Sequence, residues 1–218
     1  MSILDIAFGT HVLNNSWSSS APAHQGVTYA DLLTLAAEAG SQIVRVPLDL
    51  STVGPGGIAG WKLQEIGAGL AVAAQLGLTI IFEPGQTPPD LSQDGSVSGE
   101  PNNAWALNEL ANRFALLVEA VHESFPQYAS VIAGWEVGNE PNLSYQYTGT
   151  YWNGDDPTVS ADTPRNFAVS VDNAEWYATY LDAVADAVHA YDPSINVIGA
   201  GIAHNDVAYM QEFFATLQ

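Results

Sequence analysis

Five times in succession this chain runs a short apolar, β-rich stretch into a longer helical one, and that alternation limits its folds more than any other feature. The β-rich runs are 3–9, 42–48, 78–85, 131–138 and 195–201, and the helical runs are 28–40, 61–77, 104–125, 173–192 and 205–218. Continuous apolar strands joined by helices mean a parallel sheet covered by helices. A doubly wound open sheet and a (β/α)8 barrel both satisfy the pattern. The open sheet usually carries a Gly-rich phosphate turn after its first strand. Here that turn reads FGTHVLNNSWSSS, with neither G-x-G-x-x-G nor a P-loop.

Composition narrows the chemistry. The 218 residues hold 24 Asp+Glu against 4 Lys+Arg, a formal net charge of -20. A field of that sign repels phosphate backbones, so nucleic acids and anionic membranes are poor partners, whereas neutral ligands are not disfavoured. The cysteine count is 0, which removes disulfides, thiolate metal sites and a Cys nucleophile. The N-terminal residues lack the basic and apolar regions of a cleavable signal peptide. No apolar run approaches the ~18 residues of a membrane span.

In a parallel α/β fold the functional groups gather at the strand ends. Those ends carry His11 and Asn14, Arg45 and Asp49, Glu83, then Glu136, Asn139 and Glu140, and finally His204 and Asn205. Arg45 sits inside the apolar run IVRVPL, where a guanidinium must be paired. It is either a structural ion pair of the interior or the cation that orients an active-site carboxylate.

The fourth strand ends in WEVGNEPN, residues 135–142. This resembles the acid/base signature of the clan A glycoside hydrolases, in which an Asn-Glu pair ends strand four and an Arg lies on strand two. The stretches 68–91, 102–125 and 176–201 resemble glycoside hydrolase family 39 and its neighbours. The resemblance implies a TIM-type (β/α)8 barrel of which this chain covers about β1–α5, an incomplete catalytic barrel spanning residues 1–218. It implies Glu140 as general acid/base, Asn139 as ligand of the sugar 2-hydroxyl and Arg45 as the orienting cation. The T-P-x-W turn of that family is here Thr87-Pro88-Pro89-Asp90, without its aromatic.

A retaining glycosidase needs two carboxyl groups about 5–5.5 Å apart, one neutral and one ionised. In the resembled clan the nucleophile ends strand seven, which would place it outside this chain, in a missing C-terminal half-barrel or a completing chain. Glu83 is the better internal substitute on geometry, although it equally suits a partner for Arg45. Glu136 lies deeper on the same strand as Glu140. Sugar faces stack on aromatic rings. Trp17, with Tyr145, Tyr147, Tyr151 and Trp152 in a polar loop, are therefore expected to line subsites, with His11 and His204 close by. Trp61, Trp105, Trp176 and Tyr177 lie on helices and read as packing residues.

Asp90, Ser92 and Asp94 imitate the start of a calcium loop, but Pro101 occupies position twelve and Glu100 falls one place short. A polar loop is the simpler explanation, and no other cofactor is indicated. The expected function is hydrolysis of a β-linked poly- or oligosaccharide. The alternative is a non-catalytic glycan-binding or assembly protein derived from such a barrel. Acidity, the lack of Cys and a polysaccharide substrate lean towards a secreted bacterial protein.

Overall fold

A computed structural model describes residues 9–11, 29–92, 95, 101, 103–142, 172–203 and 206–217. Its centre is an all-parallel sheet of five strands: β1 (Gly9–His11), β2 (Ile43–Asp49), β3 (Thr79–Gly85), β4 (Ile132–Val137) and β5 (Val197–Gly199). They are joined through α1 (Tyr29–Glu38), α2 (Gly60–Leu76), α3 (Ala104–Ser124) and α4 (Asp172–Tyr191), and α5 (Val207–Thr216) follows β5. Each strand pairs with the one before it in the chain, so the spatial order equals the sequence order. A doubly wound sheet must reverse its order at a switch point. This one never does, and the topology is that of a barrel wall.

Local chemistry explains where the elements stop. Gly77 closes α2 in a left-handed conformation (φ 69°) and donates its N–H to Ala73 and Ala74. Asn103 caps α3 by accepting from Ala106 N (2.9 Å), and Asp206 caps α5 by accepting from Tyr209 N (3.1 Å). β5 is shorter than the apolar run predicts. Beyond Gly199 the backbone amides leave the ladder: Ala200 N–H donates to the Tyr177 hydroxyl (2.5 Å) and Gly201 N–H to Glu136 Oε1 (3.2 Å). β1 extends past Gly9, which the sequence suggests as its end, because Gly9, Thr10 and His11 pair with Ile43, Val44 and Arg45.

The two faces of the sheet differ in kind. Val46, Leu48, Ile80 and Phe82 meet Leu33, Ile66 and Leu70 of the helices across a small apolar gap. Trp135 of β4 packs on Phe82 (centroids 4.9 Å apart) and Phe114 (6.4 Å) in the same layer. The alternate residues, Arg45, Glu83 and Glu136, occupy the face that a closed barrel turns inward. An irregularity sets this phase. Ile80 pairs with Ile132 but Ile81 pairs with Gly134, so Ala133 is an extra residue in β4. Its carbonyl is satisfied by Asn196 Nδ2 at 2.9 Å. A Cβ on Gly134 would lie 2.7 Å from Ile198 Cδ1 and 3.0 Å from the Asn196 carbonyl oxygen, so this crossing needs glycine.

Trp61 and Trp105 do not pack as their helical positions suggest. They are 63% and 67% exposed, each in the first turn of its helix. Trp176 and Tyr177 are buried. Among the described residues no helix is long and apolar enough to cross a membrane.

One buried contact carries a pH dependence. The Trp135 indole N–H donates to His122 Nε2 (3.3 Å), which requires a neutral imidazole. Burial holds the His122 pKa below its ordinary 6.5, with Asp192 opposing. The unfolded chain therefore takes up this proton at a higher pH than the folded one, and stability falls as pH drops through about 6.5. The melting temperature should fall between about pH 7 and 5.5. His122→Gln, an acceptor with no proton to gain, should flatten that fall.

Candidate active site

The site is built on Arg45, whose side chain reaches from β2 to carboxylates on the next two strands. Its Nε and Nη2 donate to both oxygens of Glu136 on β4 (2.5 and 2.9 Å), a planar two-point pairing. Its Nη1 lies 3.0 Å from Glu83 Oε2 on β3. Glu83 and Glu136 are only 4% and 7% exposed, so these carboxylates depend on the cation between them. Burial acts against the charge on Arg45. The hydrogen bonds it donates to Glu136 and the fields of Glu83, Glu136 and Glu140 outweigh it and raise its pKa.

A second run of bonds leads outward from the same guanidinium. Nη2 also donates to Asn139 Oδ1 (3.0 Å), and Asn139 Nδ2 in turn donates to Glu140 Oε2 (3.4 Å). The amide is thereby oriented, carbonyl towards the cation and NH₂ towards the carboxylate. Each end of Asn139 still has capacity for a further bond, as a sugar hydroxyl would require. The turn that brings these residues round begins at Gly138 (φ 76°), whose N–H donates to Pro84 O at 3.2 Å. Glu140 itself has φ 40°, in the left-handed region. That conformation costs a non-glycine residue roughly 1–2 kcal/mol.

Asn142, which sequence inspection passes over, and Tyr177, which it reads as a packing residue, hold this corner in place. Asn142 is fully buried; its Nδ2 donates to Ala203 O (3.0 Å) and its Oδ1 accepts from Ala203 N (2.9 Å). Tyr177 donates its hydroxyl proton to Val137 O (2.9 Å) while accepting from Ala200 N. Both therefore join the end of β4 to the segment after β5. The signal for Asn142 was available, a polar residue just after Pro141 in a corner that must be buried. Tyr177 is legible as a packing residue, but its hydroxyl's role is not, since any helical Tyr would look the same in sequence.

Glu83, with its two open expectations, is an ion-pair partner of Arg45 in this structure. His11 lies at the end of β1, beside Arg45 in register. Trp17, Tyr145, Tyr147, Tyr151, Trp152 and His204 lie outside the described residues, as do Asp94 and Glu100. The remaining calcium candidate, Asp90, is bound by Arg113 through two bonds of 2.6 and 3.1 Å, which lower its pKa. That explains an acidic residue at the foot of the loop without a metal. Among the described residues no three His, Cys, Asp or Glu cluster closely enough to hold one.

The wall of sequentially ordered parallel strands, with its carboxylates at the strand ends, can be set beside solved structures. A broad-specificity endoglucanase of glycoside hydrolase family 5-4 from Clostridium acetobutylicum superposes with a TM-score of 0.62 at 16% identity, covering 95% of this chain and 58% of that one. A hyperthermophilic endo-β-1,4-glucanase in complex with substrate gives 0.60 at 16%, covering 95% and 55%. A family 39 glycoside hydrolase from Bacteroides cellulosilyticus WH2 gives 0.51 at 16%, covering 89% and 32%. The fold is part of the (β/α)8 barrel seen in these glycoside hydrolases. Only part of their barrel is present, since the chain spans little more than half the length of the endoglucanases it matches. No protein-family model and no curated protein matches the sequence. In a (β/α)8 barrel the C-terminal strand ends form the mouth, and Asn139 and Glu140 stand at that edge of this sheet.

Proposed function

We propose that this chain is the N-terminal part of a retaining glycoside hydrolase that cleaves β-linked poly- or oligosaccharides. Glu140 is the acid/base, Asn139 the ligand of the sugar 2-hydroxyl, and Arg45 the cation that orients both. The observation that carries this is the run of bonds from Arg45 through Asn139 to Glu140 at the mouth edge of the sheet. A proton donor must be held in one orientation against the leaving oxygen, and Asn139 supplies that hold. Glu83 and Glu136 are both committed to Arg45, so the nucleophile is assigned to the part of the barrel beyond this chain. The related endoglucanase folds make β-1,4-glucan the first polymer to try.

The mechanism is tested by chemical rescue in the full-length protein. With Glu140→Ala and an activated aryl β-glycoside, azide should restore turnover and yield a glycosyl azide of retained configuration. Absence of rescue, or an inverted product, would remove Glu140 from the acid/base role. The second reading, a glycan-binding protein without hydrolysis, is favoured by one observation. Among the described residues no carboxylate besides Glu140 is left uncommitted at this mouth. Binding of oligosaccharide with no products after long incubation would establish it.

A further inference from the structure

We infer that Gln86 is a substrate-binding residue of the cleft, its amide held near Glu140 to hydrogen-bond a sugar hydroxyl. The inference rests on the glycan-cleft assignment above. Among the described residues two non-glycines have positive φ, Gln86 at 71° and Glu140 at 40°. Strain of this kind persists where the surroundings impose it, and it collects at functional sites. One of the two is the candidate acid/base. The other follows β3 directly, on the strand next to β4.

Pairing places the two side by side. Phe82 is level with Trp135, and the ladder continues where Gly138 N–H donates to Pro84 O (3.2 Å). Gln86 stands two residues beyond that acceptor, as Glu140 stands two beyond that donor. Among the described residues nothing asks for glutamine there. Its side chain is half-buried, forms no hydrogen bond among the described residues, and glycine would adopt the backbone without strain. The next residue adds to the pattern. Thr87 is 1% exposed, and its Oγ1 has no hydrogen-bond partner among the described residues. Buried polar groups are normally satisfied, so an exception calls for a reason. Among the described residues segment 86–87 thus keeps unused polar capacity, beside the candidate acid.

A primary amide suits this place. It offers one acceptor and two donors, the complement of neighbouring sugar hydroxyls. It also adds no charge to a mouth that already holds three carboxylates around one guanidinium.

The test compares Gln86→Gly and Gln86→Asn with wild type in the full-length protein, using cellopentaose. Relief of strain in Gln86→Gly should raise the melting temperature by about 2–4 °C. Loss of the amide should lower kcat/KM about ten-fold or more, mainly through KM. Gln86→Asn, which tolerates the left-handed region and keeps an amide, should recover part of the loss. A glycine variant as active as wild type would overturn the inference. So would one less stable than wild type, since Gln86 would then serve the fold. If wild type binds cellopentaose without cleaving it, the hydrolase reading fails instead, and calorimetric Kd values for the same variants decide the role of Gln86.

Discussion

Glu140→Gln should lower turnover of unactivated β-linked oligosaccharide by about 10²–10⁴-fold, the usual contribution of general acid/base catalysis. Gln can still accept from Asn139 Nδ2, the bond Glu140 makes at 3.4 Å, so the corner keeps its shape and only the proton is lost. The effect should depend on the leaving group. An aryl glycoside whose phenol departs without protonation should form the covalent intermediate at nearly the wild-type rate and then stall, because the same residue activates water in the second step. A pre-steady-state burst with slow turnover would be the kinetic mark. Wild-type rates on unactivated oligosaccharide would end the assignment.

Arg45→Met should have the largest effect on stability. It leaves Glu83 and Glu136 buried without the cation that both contact, and breaking such a pairing from one side costs about 3–5 kcal/mol. For a domain of this size that is a fall in melting temperature of roughly 6–20 °C. Asn139 would lose its anchor as well, so activity should fall even where the variant folds. Arg45→Lys should recover only part of either property, because an ammonium cannot match two oxygens of Glu136 and reach Glu83 and Asn139 together. Adding Glu136→Gln to Arg45→Met should restore stability by removing one of the stranded charges. A single variant that melts within about 2 °C of wild type would show that water, not Arg45, sustains these carboxylates.

The helices and apolar strands were legible because period and punctuation agree. Gly77 stops α2 where expected, and β3 and β4 fall within one residue of their apolar runs. Arg45 could be read as paired, since an apolar strand leaves it no alternative. Its choice between Glu83 and Glu136 could not. It takes both, and Glu136 comes into reach only because Ala133 shifts the phase of β4, an event with no mark in the residue pattern. The short antiparallel ladder of Val53–Gly54 with Gly57–Ile58 was also hidden, its strands being too brief to show alternation. The carboxylate-to-amide hold on Glu140 depends on a turn, and turns transmit little through periodicity.

The sequential strand order also bears on how the site assembles in time. Every sheet contact of a new strand is with the strand made just before it, so the chain can build this wall from the N-terminus as it leaves the ribosome. The partners of Arg45 then arrive in order, Glu83 first, Glu136 and Asn139 next, and the Gly201 amide that braces Glu136 last. A nascent chain paused after Asn142 would hold the charge cluster but lack the Ala203 backbone that pins the corner. Its final setting waits for a segment synthesised sixty-one residues later.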